Sequence, residues 1–380
     1  MEQNYNTPKE VIESNINTAV GKAALPFGKM ILLGILAGIF IALGGAGSNV
    51  AVHDIANVGL QRTLAGVIFP AGLIMIVLVG GELFTGNCLM TMAAWDKKIK
   101  WSGMLRNLVV VFFSNLIGAL VIVLLVSFSG QLDYTGGKLG AYTISVAAKK
   151  IALSPLRMVL SGILCNVLVC VAILMAAAAK DVAGKILAIF FPIWLFVASG
   201  FEHVVANMYY IPAGILAAMN PAYVETAKEL YSLTDAQLAS LNALDSLPGF
   251  FFVMLGNFIG GGLVIGGLCY LTQKKVYDKE FKIQAVQLER EIGFSKAAKE
   301  LGVNIDTLYG WNKRTKDDRF DLELGMQTLD AAMSLTEEVQ NLRQQSSEQS
   351  KEIARLKEEN EFLAEASAFF AANRQKSAKN

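Results

Sequence analysis

Six apolar stretches constrain what this chain can fold into more than any other feature of its sequence. Each is long enough to cross the hydrocarbon core of a bilayer, which takes about 20 helical residues. The stretches cover residues 27–47, 62–94, 104–128, 156–179, 186–217 and 249–272. A soluble helix presents a polar face at helical period, whereas the segment from Leu108 to Val126 has only Ser114 and Asn115 as polar side chains. The sequence therefore predicts an all-α protein with six membrane spans.

Charged residues divide the chain into two parts. Residues 274–380 hold 18 of the 33 Lys and Arg and 19 of the 32 Asp and Glu, so the apolar part is poor in charge. We predict a membrane domain over 1–273 and two polar domains over 277–320 and 332–372. The four cysteines lack the paired spacing of a zinc site or a disulfide framework, and no set of residues combines a nucleophile, a base and oxyanion donors. We therefore expect no metal, no cofactor and no enzymatic activity.

Lysine and arginine are concentrated in the loops on one side of the predicted membrane domain. These residues are Lys97, Lys98, Lys100, Arg106, Lys180, Lys185, Lys274 and Lys275. By the positive-inside rule both termini face the cytoplasm, which predicts a multi-pass protein of a bacterial inner membrane. Lys149, Lys150 and Arg157 lie on the opposite, outer side. They either form a basic vestibule that concentrates anions or are interfacial side chains that reach toward water.

The two halves of the predicted membrane domain repeat one another. Three patterns match in the same order: Met30-x-Leu-x-Gly34-Ile-Leu with Met158-x-Leu-x-Gly162-Ile-Leu, Glu82 and Asn87 with Glu202 and Asn207, and Asn115-x-Ile-Gly118 with Asn257-x-Ile-Gly260. The matches pair spans one and four, two and five, and three and six, which indicates a duplicated three-helix unit. Because three is odd, the second copy is inverted relative to the first. Inverted repeats are typical of channels and transporters whose permeation site lies near the bilayer midplane.

Spans two and five are too long for one straight crossing, and both are interrupted at corresponding places, residues 80–87 and 199–207. Glycines there allow a turn, which predicts broken helices around a cavity. Glu82, Glu202 and His203 face the interior because a charge or imidazole in lipid is unfavourable. Each carboxylate either serves function or accepts hydrogen bonds from the free amides of a half-helix. His203 can donate a hydrogen bond to an anion and exchange a proton near neutral pH.

Three segments of the membrane domain resemble the formate/nitrite transporters. They are VLVGGELFTG (77–86), GILCNVLVCVA (162–172) and GFEHVVANM (200–208). The resemblance covers about residues 5–272 and implies a pentamer with an aquaporin-like fold and one pore in each protomer. It implies a cytoplasmic constriction of Leu73, Leu83 and Phe84 and a periplasmic one of Phe69 and Phe196. It places His203, Thr85, Asn166, Asn257 and Lys150 along the anion pathway, with Glu82 and Glu202 beside it.

The substrate class implied by the resemblance is a small monovalent anion. Formate is the leading candidate, with nitrite, hydrosulfide and acetate as alternatives. A bare anion enters a dry apolar constriction at great cost, whereas the neutral acid does not. A proton, supplied by His203 directly or by water with His203 as relay, would therefore accompany the anion. The residues do not choose between a pH-gated channel and a proton-coupled carrier.

The segment after the last span has a helix-turn-helix pattern. An amphipathic helix over 281–292 is followed by a second that Ser295 begins and Gly302 ends, and by a third from Asn304 to about Trp311. The third is the predicted recognition helix. Its candidate DNA contacts are Asn304, Asp306, Thr307, Tyr309, Lys313 and Arg314. A plain three-helix bundle without DNA binding is the alternative.

The last predicted domain has heptad spacing. Val339, Ser346, Ile353 and Asn360 alternate with Leu342, Gln349, Leu356 and Leu363, which predicts a coiled coil with a seam asparagine that favours two strands; a single solvated helix is the alternative. Residues 277–380 resemble the small DNA-binding subunit of insertion-sequence transposases. Two hypotheses follow, namely an anion channel or transporter with a transposase-derived tail, and a membrane-tethered DNA-binding regulator.

Overall fold

The computed structural model describes residues 4–273, 279–303 and 305–316. These residues fall into two compact units that separate between residues 275 and 276, and each unit is described by itself. All regular elements of the described residues are helices, with one isolated bridge between Tyr5 and Ala179.

Helix α1 (Pro8–Ala23) is short and amphipathic. Thr7 begins it with a capping box, in which its hydroxyl accepts from the Glu10 amide and the Glu10 carboxylate accepts from the Thr7 amide. The chain before α1 is held by Asn6, whose side-chain amide donates to Ala177 O at 2.8 Å. The apolar face of α1 is buried in the main core, so α1 packs on the membrane unit along its length.

Six helices among the described residues are long and apolar enough to cross a membrane. They are Phe27–Val52, Val58–Val79, Trp101–Phe128, Pro155–Ala178, Val182–Ser199 and Ala243–Thr272. The prediction of an all-α protein with six spans is confirmed. The second comprises α3 (Val58–Ile68) and α4 (Pro70–Val79), and the last comprises α14 (Ala243–Phe258), a π-helical turn (Ile259–Ile265) and α15 (Gly266–Gln273).

Shorter helices connect these spans. They are α5 (Phe84–Asn87), α6 (Thr91–Trp95), α8 (Lys138–Ile151), α11 (Val204–Ala217), α12 (Pro221–Tyr231) and α13 (Asp235–Ala239). The other four membrane-crossing helices are α2 (Phe27–Val52), α7 (Trp101–Phe128), α9 (Pro155–Ala178) and α10 (Val182–Ser199). Helices α8 and α12 pack together around Leu139, Ile144 and Ala227 in a core of their own. This second core lies beside the main one and forms one wall of the cavity described below.

Glycines bring α2 against α7 and α9 against α14. A Cβ atom on Gly38 would overlap the Asn115 carbonyl oxygen, and one on Gly118 would overlap the Ile35 carbonyl oxygen. On the other side, Gly256 and Gly260 lie equally close to the α9 backbone. Small residues at such crossings allow close packing of membrane helices, so both halves use glycine for the same purpose.

The second unit contains three described helices, α16 (Lys279–Ile292), α17 (Phe294–Leu301) and α18 (Ile305–Lys316). They enclose a core that includes Ala285, Leu308 and Trp311. Gly293, with φ +83°, precedes α17 and no side chain caps it, so the expectation that Ser295 begins this helix is wrong. Helix α18 extends beyond Trp311 to Lys316. The predicted coiled coil over 332–372 lies outside the described residues.

Candidate functional site

Two helix interruptions face each other in the middle of the membrane unit. Helix α4 ends at Val79 and α5 begins at Phe84; α10 ends at Ser199 and α11 begins at Val204. Gly80 (φ +104°) and Gly200 (φ +73°) end the first helix of each pair with positive φ, a conformation that glycine adopts without strain. Between the helices the backbone is extended, so its amides and carbonyls need partners from outside the helix.

One asparagine in each half supplies those partners. Asn115 accepts from the Phe84 amide at 3.0 Å and donates to Gly34 O and Glu82 O at 2.8 and 2.9 Å. Asn257 makes the corresponding bonds in the other half. It accepts from the Val204 amide at 2.9 Å and donates to Gly162 O and Glu202 O at 2.8 and 3.0 Å. Both side chains are fully buried, so each clamps an interruption to its neighbouring helix.

Asn166 joins the two halves. Its amide nitrogen donates to Thr85 O at 3.1 Å and to Asn257 O at 2.6 Å. Asn166 and Asn257 are predicted to offer amide hydrogens to the anion. In this structure both hydrogens of each amide point to backbone carbonyls, Thr85 O and Asn257 O for Asn166, and Gly162 O and Glu202 O for Asn257. Their role in this structure is to hold the backbone.

Thr85 and His203 meet between the interruptions. Thr85 Oγ1 lies 3.0 Å from His203 Nε2, and both side chains are buried. His203 Nδ1 accepts the Ala206 amide hydrogen at 3.0 Å. Because Nδ1 is an acceptor, the ring proton of a neutral imidazole is on Nε2. His203 therefore donates to the Thr85 oxygen, and the Thr85 hydroxyl hydrogen stays available to another acceptor.

Apolar side chains flank this pair. The rings of Phe69 and Phe196 meet edge to face at 5.6 Å between centroids, and Phe196 also stacks on His203 at 5.9 Å. Leu83 and Phe84 immediately precede Thr85, and both are buried in the same core as Leu73. The five predicted constriction residues thus lie in the apolar interior, with Phe196 touching one side of the Thr85–His203 pair.

Glu202 is paired with Lys150. Lys150 Nζ lies 3.0 Å from both carboxylate oxygens of Glu202, and Asn207 donates to the same carboxylate at 2.8 Å. The ammonium also lies 5.2 Å from the centre of the Tyr210 ring. Lys150, predicted as an anion-attracting lysine, therefore has its charge balanced by Glu202.

Glu82 has a similar environment, in which the sequence analysis did not predict the lysine partner. Lys22 of α1 donates to Glu82 at 2.9 Å and to Asn87 Oδ1 at 2.8 Å, and Asn87 donates to Glu82 at 2.6 Å. Neither glutamate accepts from a half-helix amide in the described structure, because Asn115 and Asn257 bind those groups. The expectation of carboxylates at free helix amides is therefore replaced by two buried lysine–glutamate–asparagine clusters.

A wide cavity of about 820 Å³ reaches this centre from one side. His203, Phe69 and Phe196 lie at its wall together with the Glu202–Lys150 pair. Lys149 and Arg157 also line it, as does Arg62, which the sequence analysis did not select. Four basic side chains and one carboxylate therefore surround the cavity, for a formal charge of +3. Thr85 and the Leu73, Leu83 and Phe84 side chains are not part of its lining.

The candidate DNA contacts lie on α18 in the second unit. Tyr309 is exposed, and its ring stacks on Phe294 at 3.8 Å between centroids. Lys313 is exposed and Thr307 is half-buried. Asn304 and the side chains of Asp306 and Arg314 lie outside the described residues.

Two family models match the chain. A model described as formate/nitrite transporter matches residues 9–271, and one described as transposase matches residues 272–361. Each match covers one of the two parts that the charge distribution separates.

Characterised relatives and solved structures match the first part. Formate channel FocA of Haemophilus influenzae is 36% identical over 266 residues, covering 68% of this chain and 92% of its own. A probable formate transporter of Methanothermobacter thermautotrophicus is 33% identical over 293 residues, covering 72% of this chain and 100% of its own. A pentameric formate channel solved with formate bound is 31% identical with a TM-score of 0.57, covering 66% of this chain and 98% of its own.

Proposed function

Because the chain belongs to the formate/nitrite transporter family, we propose that its multi-pass membrane unit is a pore for small monovalent anions, with formate as the main substrate. The relatives just described are formate channels and a probable formate transporter, which favours formate over nitrite, hydrosulfide or acetate. The proposal covers transport by a channel, and it assigns the unit no catalytic residue.

The buried Thr85–His203 pair is the observation that carries this proposal. It places a hydroxyl and an imidazole N–H in a core that is otherwise apolar around Phe196, Leu83 and Phe84. Apolar constrictions exclude hydrated ions, while a small anion that has shed its water needs hydrogen-bond donors. The Thr85 hydroxyl hydrogen would bind an oxygen of the permeating formate, and His203 Nε2–H would orient that hydroxyl by donating to its oxygen.

The same geometry favours water as the source of the proton. To give up a proton, His203 would first have to carry one on Nδ1, where the Ala206 amide hydrogen already points at 3.0 Å. Two N–H donors would then face each other, which the fixed helix start resists. We infer that His203 stays neutral, and that formate takes its proton from water in the wide cavity before it crosses the constriction. A charge-poor core passes the neutral acid at much lower cost than the anion.

We extend the proposal to assembly and topology. The pentamer is taken from the family, and the inner-membrane location and cytoplasmic termini from the loop charges. The paired clamps of Asn115 and Asn257 support an inverted repeat whose two broken helices meet at the centre. The wide cavity would then open to the periplasm, with Phe69 and Phe196 at its inner end and Leu73, Leu83 and Phe84 on the cytoplasmic side.

The tail is a separate proposal. The transposase match over 272–361 supports a helix-turn-helix unit over 277–320 followed by a coiled coil over 332–372. We propose that it joined a complete transporter and is not needed for transport. DNA binding through Thr307, Tyr309 and Lys313 would then be a property of the tail alone, rather than the function of a membrane-tethered regulator.

Formate uptake into proteoliposomes tests the pore. His203→Phe removes the N–H donor and should lower uptake about ten-fold, the effect of losing one hydrogen bond of about 1.4 kcal/mol. Thr85→Val should act in the same direction. His53→Phe is the matched control, because His53 binds Val50 O and Thr135 away from the pore centre and should leave uptake unchanged. Wild-type uptake by both pore variants at every pH between about 5 and 8 would refute the assignment.

A further inference from the structure

The wide cavity has more positive charge than a passage for formate requires. Lys150 is neutralised by Glu202, but Arg62 and Arg157 have no ion-pair or hydrogen-bond partner among the described residues. Lys149 contacts only a ring, with its ammonium 5.7 Å from the centre of Tyr231. Three cations, two of them guanidinium groups, therefore face the same cavity.

Uncharged donors face that space as well. The Asn49 side-chain nitrogen is buried at the cavity wall without a hydrogen-bond partner in the described part of the chain, which is unfavourable unless a ligand or water binds it. The Tyr210 hydroxyl lies one helical turn from Asn49, beside Gly45. Tyr142 also lines the cavity. Burial raises the pKa of the Tyr142 phenol, and the Arg62 charge only partly opposes this shift, so the phenol stays a donor at physiological pH.

The chemistry of these groups selects a carboxylate ligand with two charged ends. A guanidinium binds a carboxylate through two parallel hydrogen bonds, and two such groups are free here. The cavity volume of about 820 Å³ is within the range of pockets that hold metabolite-sized ligands, about 300–1,000 Å³, and is far larger than formate. A dicarboxylate would have to lose both charges to pass the buried Phe69–Phe196 pair.

We propose that the wide cavity is a binding site for short dicarboxylates, which enter it from outside, are retained by Arg62 and Arg157 with help from Asn49, and block formate entry. The proposal rests on the proposed anion pore for its effect on transport, whereas the binding itself does not depend on that pore. The chain would then sense the larger organic acids of its surroundings at the mouth of the pore without carrying them.

Succinate is the probe, and two measurements on the full-length protein separate binding from transport. Equilibrium dialysis of the detergent-purified protein with radiolabelled succinate gives a Kd. Formate uptake into proteoliposomes with succinate outside gives an inhibition constant, and external sulfate at equal concentration controls for charge alone. We expect succinate to bind, to inhibit formate uptake competitively, and to remain outside the liposomes.

Arg62→Gln and Arg157→Gln should each raise the succinate Kd about ten-fold or more, since each removes a charge-assisted hydrogen-bonding group. Arg62→Lys keeps the positive charge but not the two parallel hydrogen bonds of a guanidinium, so its succinate Kd should lie between those of the wild type and Arg62→Gln. Arg106→Gln is the matched control, because Arg106 is bound to Leu25 O and does not line the cavity; its succinate Kd should equal that of the wild type.

Four results would overturn the inference: no succinate binding by a protein that transports formate, an unchanged Kd in both arginine variants, equal inhibition by sulfate, or succinate uptake at the rate of formate. A wild-type protein that binds succinate but does not transport formate would instead refute the proposed pore and leave the site intact.

Discussion

Replacing Asn257 with leucine separates a structural role for this residue from a role in binding the anion. Leucine has nearly the shape of asparagine but neither donates nor accepts a hydrogen bond. The substitution would leave three buried backbone groups without their present partner, the carbonyls of Gly162 and Glu202 and the amide of Val204. The Glu202 carbonyl and the Val204 amide lie at the interruption, where no intrahelical bond replaces the loss, whereas the Gly162 carbonyl lies inside the uninterrupted helix α9 and loses only an additional hydrogen bond.

The expected loss of stability follows from these three bonds. Side-chain hydrogen bonds between membrane helices average about 0.6 kcal/mol each, which sets a lower bound of about 2 kcal/mol. A buried backbone group left unsatisfied costs about 1–3 kcal/mol, and two such groups, the Glu202 carbonyl and the Val204 amide, set an upper bound of about 6 kcal/mol. Native proteins are stable by only about 5–15 kcal/mol. Asn257→Leu should therefore abolish or severely reduce folding.

Thermal unfolding in detergent, followed by size-exclusion chromatography of the heated protein, measures this effect. Asn115→Leu should destabilise the protein to a similar extent, because Asn115 makes the same three types of bond in the other half. Asn220→Leu is the matched control. Asn220 caps α12 at the exposed Ala222 amide, and its loss should cost only about 1 kcal/mol.

A stable Asn257→Leu protein with altered anion selectivity would refute this argument. It would show that the amide serves the permeating ion and that its backbone bonds are dispensable. Loss of folding in Asn257→Leu together with a stable Asn115→Leu would also contradict the proposed equivalence of the two halves.

Two further predictions address α1 and the tail. Lys22→Met leaves the Glu82 carboxylate buried without its cation. It should destabilise the protein by about 3 kcal/mol, the lower end of the range for a broken buried ion pair, because Lys22 is partly exposed. The double variant Lys22→Met with Glu82→Gln should recover most of that loss in the same unfolding assay, and a double variant no more stable than the single one would contradict the pairing. Removal of residues 277–380 should leave pentamer formation and formate uptake at wild-type levels. Native mass spectrometry measures the first and formate uptake into liposomes the second, and loss of either would favour the tethered-regulator hypothesis.

Local sequence was sufficient for the six apolar helices. Apolar length predicts a membrane helix because lipid offers no partner to backbone groups, and the glycines near Glu82 and Glu202 indicate where the helices end. The Glu and Asn pairs that the sequence repeats lie in two similar clusters, Glu82 with Asn87 and Glu202 with Asn207. These features depend on neighbours within a few residues, which a single sequence displays directly.

Long-range partners could not be predicted in this way. Lys22 lies 60 residues from Glu82 in a helix whose lysines look like ordinary interfacial residues. Asn257 looked like a free pore donor because a sequence does not show that its amide is already bound to three backbone groups. Arg62 falls at the start of an apolar stretch and has no motif around it. In each case the missing information is the tertiary packing of helices that are distant in sequence.

The helix interruptions held by these asparagines also have a consequence for the rate of substrate passage. Asn115, Asn257 and Asn166 hold the interrupted backbone at the centre of the unit with hydrogen bonds from within the protein, so an arriving substrate does not have to order the chain around itself. Binding free energy is then not consumed in restructuring, and release does not wait for the chain to relax. We expect weak substrate affinity with rapid turnover, because a pore conducts only when an ion can leave its site as easily as it enters. The backbone held by these asparagines would thus allow a high rate of substrate transport across the membrane.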